Sequence, residues 1–260
     1  MAGKSAVRAA FWTLAAATAL ATFPAAANAE KTTGRAEVSH RGILYAIVTE
    51  CLDAPSKAGL AGYCAKCPAP LENFLGRCDP HFSAWEDPVA VCRKTARVWA
   101  KTPRFAAIRD IKMCGCRDKN FIHGLALPRA KVTGVEDVRR LPKGIWRFAW
   151  NAAVRRIGDE NSVALVVNPP GRRTQDQLHI HLVRLAPGAR KRLEDFDPEH
   201  LDNLDDVWIA VEENAENKKI AFDAYGLAII RDLKRGYWFA VIPESAGSPE
   251  ALFSQYDCSK

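Results

Sequence analysis

With 260 residues, of which 48% are hydrophobic and 26% charged, the chain has enough apolar material for one large or two modest domains and needs no crosslinks to hold a core. Its 37 lysines and arginines exceed 30 acidic residues for a formal net charge of +7, yet they form no basic block. That pattern argues against a nucleic-acid partner and is compatible with an anionic lipid surface or substrate.

The first residues stand apart. Lys4 and Arg8 precede an apolar run from Ala9 to Phe23, and Ala27-Asn28-Ala29 has the small-x-small form of a cleavage site. Residues 1–29 are predicted to be a secretory signal peptide, with an uncleaved anchor as the alternative if Ala25 to Ala27 extend the apolar run. Residues 30–260 then form a single domain. All eight cysteines lie beyond the signal: Cys51, Cys64, Cys67, Cys78, Cys92, Cys114, Cys116 and Cys258. In an exported chain an even number points to disulfides, with a zinc site from Cys64, Cys67, Cys114 and Cys116 as the rival.

From Glu37 to Cys51, the spacing of Ile43, Leu44, Ile47, Val48 and Cys51 predicts an amphipathic helix. A Cys-rich segment follows, about 51–92, whose Pro and Gly residues predict an irregular, disulfide-pinned stretch. Strands are expected around Phe105 to Ile111 and from Phe121 to Leu127, the second containing His123 and stopping at Pro128. Pro142 to Ile157 carries Ile145, Trp146, Ala149, Trp150, Ala153, Val154 and Ile157 at helical spacing, with Gly158 beyond its end.

Asn161 to Leu185 reads as strand, polar turn, strand. The apolar runs Val163 to Val167 and Leu178 to Leu185 flank a Pro-Pro-Gly loop with Arg172 and Arg173. On the second strand Gln177, His179, His181 and Val183 share one face, and Leu178, Ile180 and Leu182 share the other. Further on, a helix is expected from Arg190 to Leu204, with His200 exposed. Strands are expected at Val207 to Val211, Ala224 to Arg231 and Tyr237 to Ile242, the last two forming a hairpin through Lys234-Arg235-Gly236. The sum is an α+β fold, helices packed on an antiparallel sheet.

His179 and His181 admit three readings. They are an accidental pair on a half-buried strand, or part of a zinc site whose third ligand is not evident, since Asp176 has the opposite parity, or they include a nucleophile toward phosphorus. Neutral imidazole is a competent nucleophile near neutral pH. The preceding loop holds suitable phosphate donors in Asn168, Arg173, Thr174 and Gln175.

The pattern Asn168-x6-Gln175-x3-His179-Ile180-His181-Leu182 resembles the signature of the histidine-triad superfamily of nucleotide hydrolases and transferases. Ile122-His123-Gly124-Leu125-Ala126-Leu127-Pro128 is similar to that superfamily's earlier strand. Arg173-Thr174-Gln175 before His-Ile-His, the signal segment and Tyr225-Gly226-Leu227-Ala228 resemble bacterial CDP-diacylglycerol pyrophosphatases. The resemblance runs from about Asn120 onward and does not include the Cys-rich segment. It implies a histidine-triad-like sheet and hydrolysis of CDP-diacylglycerol to CMP and phosphatidate at a membrane surface. It also implies an exported protein, periplasmic or on the periplasmic face of the inner membrane. His181 would be the nucleophile and His179 its orienting neighbour. Asn168 and Gln175 would bind phosphate, with Arg173, Thr174 and His123 as further site residues. No cofactor and no catalytic metal are expected. The third triad position is Val183 rather than histidine, which favours a substrate whose leaving group is a phosphate, because such a group departs without a proton. A hydrolase or transferase of a soluble nucleotide conjugate and a non-catalytic secreted nucleotide-binding module are the competing functions.

Overall fold

The computed structural model describes residues 40–52, 98–113 and 118–255. These lie in the second of two units into which the chain divides, Arg35–Lys260. The signal segment, most of the Cys-rich stretch and the cysteine side chains lie outside the described residues.

Eight strands form one sheet: β1 (Val98–Lys101), β2 (Phe105–Arg109), β3 (His123–Pro128), β4 (Val163–Val167), β5 (Ile180–Arg184), β6 (Glu199–Leu201), β7 (Tyr225–Arg231) and β8 (Tyr237–Pro243). Their spatial order is β1-β2-β3-β5-β4-β7-β8-β6, and every neighbouring pair is antiparallel. Among the described residues five α-helices accompany them: α1 (Ile43–Ala46, continued by a π turn, Ile47–Cys51), α2 (Ile145–Ile157), α3 (Ala189–Glu194), α4 (Val207–Asn217) and α5 (Pro249–Phe253). The α+β architecture expected from the sequence is therefore present. Among the described residues no helix is long and apolar enough to cross a membrane.

The central strands are buried on both faces. In one direction Leu165, Ile180, Leu182, Leu227 and Ile229 meet Trp146, Ala149, Trp150 and Ala153 of α2 and Val207, Val211 and Ala215 of α4. In the other, Ala164, Val166, Val183, Ala228 and Ile230 meet Ala189 and Leu193 of α3 and Phe253 of α5. Each large side chain so buried stabilises the fold by roughly 1.5–3 kcal/mol, which explains why β4 and β7 read as continuous apolar runs. The register pairs His181 with Leu125 on β3 and with Val166 on β4, so the parity predicted for β5 is the one observed.

α2 begins at Ile145 rather than Pro142, because Gly144 takes a left-handed conformation at φ 81° and starts the helix there; Gly158, at φ 85°, ends it. Two expectations are corrected. Val207 to Val211 is the first part of helix α4, not a strand; the run is too short to show a period, and its buried residues Val207, Val211, Asn214 and Ala215 follow a helical stripe. The helix expected from Arg190 to Leu204 stops at Glu194, since Asp197 adopts φ 46° and turns the chain into β6. β6 pairs at the sheet edge, and His200 on it is exposed, with Nε2 2.7 Å from the Arg235 carbonyl.

Candidate active site

The site lies on the β5 face that carries Val183 and His181. Antiparallel pairing sets His123 of β3 opposite Val183, one step diagonal to His181. β4 delivers Asn168 just beyond its end, on the parity of Ala164 and Val166. All these groups are buried: His123 is 0% exposed, Asn168 4%, His181 5% and His179 7%.

His181 is approached at both ring nitrogens. Its Nδ1 lies 3.1 Å from His123 Nε2 and 3.6 Å from Glu250 Oε1, and its Nε2 lies 3.4 Å from Asn168 Nδ2. The His179 ring stands edge-on to that of His181, centroids 4.9 Å apart, and its Nδ1 is 2.6 Å from the Gln177 carbonyl. An Nδ1–H donated to that carbonyl fixes the orientation of the His179 ring.

Glu250, in the first turn of α5, was not identified from the sequence. Its signal was present: Ser248 caps the helix by accepting from Ala251 N, Pro249 follows, and Glu250 comes next, a helix N-terminus pattern. The partners could not be read, because they are far away in the chain. Glu250 Oε1 accepts from Lys112 Nζ at 2.5 Å and lies 3.1 Å from His123 Nε2, while Oε2 accepts from Asn168 Nδ2 at 2.9 Å. Asn168 Oδ1 in turn accepts from Ser248 Oγ at 2.8 Å and from Glu250 N at 3.2 Å. The amide is thereby held in one orientation, with its NH2 group facing Glu250 and His181.

Burial lowers the His181 pKa well below the ordinary imidazole value, against the opposing pull of the Glu250 carboxylate. His179 is lowered by burial as well, opposed by its bond to the Gln177 carbonyl. Both rings are therefore neutral near pH 7. Burial works to raise the Glu250 carboxyl, but the hydrogen bonds it receives from His123 and the Lys112 ammonium outweigh it and hold the group ionised, below the usual carboxylate range.

The loop residues named from the sequence have other partners. Arg173 is buried and forms a two-pronged ion pair with Glu136, its Nη1 donating at 2.8 Å. Gln175 Oε1 accepts from Leu44 N at 3.1 Å, and Thr174 is exposed. Asp176 turns outward to Arg41, at 2.7 Å. Gln177, on the histidine parity, donates to the carbonyls of Pro128 and Ala130, both at 2.8 Å, and ties β5 to the end of β3. Of the seven residues expected at the site, the structure groups His181, His179, Asn168 and His123; Arg173, Thr174 and Gln175 belong to the loop leading into the strand.

The sequence reading found no third ligand for a metal beside the histidine pair. The fold supplies carboxylates from distant segments. Asp110, at the end of β2, His123 and His181 bring one ligand atom each within 4.8 Å of one another, all buried, and are a donor set that a divalent cation such as zinc accepts. His179 is not part of it.

A cavity of about 650 Å³ lined by Leu141, Trp208, Ile209, Phe222 and Tyr225, with Arg139 and Lys143, lies against α4 on the opposite side of the sheet. It contains none of the histidines.

A family model described as CDP-diacylglycerol pyrophosphatase matches residues 116–216. A CDP-diacylglycerol pyrophosphatase of Mycobacterium bovis is 35% identical over 82 residues, covering 28% of this chain and 32% of that protein, and one of Mycobacterium tuberculosis matches equally. A probable CDP-diacylglycerol pyrophosphatase of Mycobacterium leprae is 39% identical over 72 residues, 24% of this chain and 27% of that protein. The match thus spans about a third of the length of these curated relatives. The model covers His123, Asn168, His179 and His181 but stops short of Glu250, and Asp110 and Lys112 precede it. By family model, curated relatives and motif alike, this chain is similar to the CDP-diacylglycerol pyrophosphatase family, and the family model covers its histidine-bearing segment.

Proposed function

We propose that the chain hydrolyses CDP-diacylglycerol to CMP and phosphatidate, with His181 as nucleophile in a histidine-triad-like site. The observation that carries this reading is a neutral, buried His181 whose Nε2 faces the Asn168 amide while its Nδ1 faces a carboxylate. Nε2 attacks the phosphorus on the cytidine side, an N–P bond forms, and the bridging P–O bond breaks with its electron pair leaving on phosphatidate. Water then attacks the same phosphorus, the P–N bond breaks, and CMP leaves as the water's proton passes to solvent. The phosphate leaving group needs no proton, which fits Val183 at the third triad position: that residue is 1% exposed and packed among Ala164, Val166 and Ile230.

His179 orients the neighbouring ring, and Asn168 donates to phosphate oxygen. Arg173, Thr174 and Gln175, in the loop that leads into the strand, are further phosphate partners in this reading. Export through residues 1–29 to the periplasm or the periplasmic face of the inner membrane completes the proposal, since it brings the enzyme to a lipid substrate. N-terminal sequencing of the mature protein distinguishes cleavage after Ala29 from retention as an anchor.

The test is release of CMP by purified protein. His181→Ala should abolish it with the fold retained, and His179→Ala should slow it; near-normal turnover of His181→Ala removes the nucleophile. The cavity beside α4 lies across the sheet from His181, so the diglyceride is not assigned to it. Comparing CDP-diacylglycerol with CDP-alcohols measures what the lipid half contributes. Undiminished turnover in a strong chelator is expected; loss restored by zinc would instead assign a resident ion to Asp110, His123 and His181.

A further inference from the structure

We infer that Arg41 is a positioning residue for substrate binding: it clasps Asp176, so that the N-terminal segment holds the loop before β5 and engages the oxygen end of the Gln175 amide. The catalytic consequence rests on the proposed role of Gln175 as a phosphate partner. The clasp itself rests on hydrogen bonds between residues 131 and 135 positions apart in the chain.

Arg41 Nε donates to Asp176 Oδ2 at 2.8 Å and Arg41 Nη2 donates to Oδ1 at 2.7 Å, a two-pronged pair. The Asp176 N–H donates to the Arg41 carbonyl at 2.7 Å, so the same two residues are joined through backbone as well. Three positions further on, the Leu44 N–H donates to Gln175 Oε1 at 3.1 Å. The segment that makes these bonds is itself anchored, because Leu44, Ile47 and Val48 recur at helical spacing and are all buried. Exposed ion pairs contribute little on average, and the side chains of Arg41 and Asp176 are 50% and 42% exposed. The two-pronged arginine–carboxylate geometry, backed by a backbone bond, is the arrangement in which such a pair counts.

The Gln175 amide has one end that accepts and one that donates. A phosphate oxygen takes a hydrogen bond only from the NH2 end and is repelled by the oxygen. By presenting a donor to Oε1, the Leu44 N–H selects the orientation in which the oxygen is turned to the N-terminal segment. Asp176, the next residue, is where that segment grips the loop, so the Arg41 pair keeps Leu44 and Gln175 in register.

The two ends of the loop are held by other parts of the fold. Arg173 is paired with Glu136, and Gln177 donates to the carbonyls of Pro128 and Ala130 at the end of β3. His179 lies within hydrogen-bond distance of the Gln177 carbonyl, so it takes its orientation from the β3 side and not from Arg41. Loss of the Arg41 side chain therefore loosens Gln175 while the histidines stay in place. Its effect falls on substrate binding rather than on the chemical step, which is a rise in KM at nearly constant kcat. Arg41 lies outside the segment matched by the family model, as does Leu44.

In the full-length protein Arg41→Ala should raise KM for CDP-diacylglycerol about 3- to 5-fold with kcat changed less than about 2-fold. Arg41→Lys keeps the charge without the fork and should restore KM only in part. Gln175→Ala should raise KM at least as much, and Arg41→Ala added to it should raise KM little further, because both act through one amide. Hydrogen exchange read on the peptide containing Asp176 should be faster in Arg41→Ala than in the unmodified protein. An unchanged KM in Arg41→Ala, a fall in kcat at constant KM, or additive effects in the double variant overturns the inference. If Arg41→Ala does not fold, Arg41→Lys combined with Gln175→Ala gives the same cycle. Absence of CMP release from the unmodified protein would defeat the proposed reaction instead. Exchange at Asp176 then still reads the clasp, and an unchanged rate in Arg41→Ala overturns it.

Discussion

Gly226 of β7 offers a test of how the sheet supports the site. A Cβ added there would lie 2.4 Å from the Val167 carbonyl oxygen, 2.6 Å from Pro249 Cγ and 2.9 Å from Pro169 Cδ. The first contact is with a backbone atom in the middle of the sheet and cannot rotate away. The other two involve residues flanking Asn168 and Glu250. Gly226→Ala therefore overpacks the junction that holds the Asn168 amide against α5, at a cost of about 1–3 kcal/mol. The entropy gained by removing a glycine from the unfolded chain, about 0.4–1 kcal/mol, does not offset this. At about 2–4 °C per kcal/mol for a domain of this size, the melting midpoint should fall by roughly 2–10 °C. Turnover measured well below that midpoint should also fall, by about 10-fold or more, because a displacement of order 1 Å at Asn168 and Glu250 misplaces the groups that orient His181. Thermal denaturation and CMP release on the same preparation provide both numbers. A variant with unchanged midpoint and unchanged turnover would refute the claim that close approach of β7 sets the geometry of the site.

Two further outcomes separate structural from chemical roles. Arg173→Ala breaks the buried pair with Glu136, whose side chain is 22% exposed, and should lower stability by about 2–3 kcal/mol in urea unfolding; a rise in KM in addition would mark Arg173 as a phosphate contact. Acid should destabilise the fold in two stages. His181 and His179 have folded pKa values below the unfolded value of 6.5, so stability is complete above that pH and declines as pH falls below it. Glu250, depressed from 4.5, adds a second loss below that value. His181→Ala should flatten the first stage, read as the slope of melting midpoint against pH between about 4.5 and 6.5.

The parts of this molecule that could be read from the chain are those governed by local pattern. Two neighbours fixed in register, His179 and His181, had to share a face of β5, and the same period put Leu178, Ile180 and Leu182 in the core. Trp146 and Trp150 marked α2 because a helix is the one structure that gathers them with Ala149 and Ala153 on a single face. The apolar run at Val207 to Val211 failed for the converse reason: five residues do not distinguish a strand from one turn of a buried helix. The site was legible only where its residues came from one stretch. Asn168, His179 and His181 are close in sequence, but Asp110 and Glu250 reach His123 and His181, and Lys112 reaches Glu250, from segments distant in the chain. Arg173 shows the opposite case: it has the charge and position of a phosphate ligand, yet Glu136, distant in the chain, takes its guanidinium. No carboxylate close in sequence shares the face of the histidine pair, and tertiary packing supplies Glu250.

The central claim is that His181 forms a bond to phosphorus. Rapid quenching of the full-length protein with CDP-diacylglycerol, followed by alkaline digestion and mass spectrometry, reads it directly. The account predicts CMP attached to the peptide containing His181, absent in His181→Ala and slower to form in His179→Ala. CMP attached to another residue, or turnover by the full-length protein with no adduct on the His181 peptide at any quench time, would contradict it.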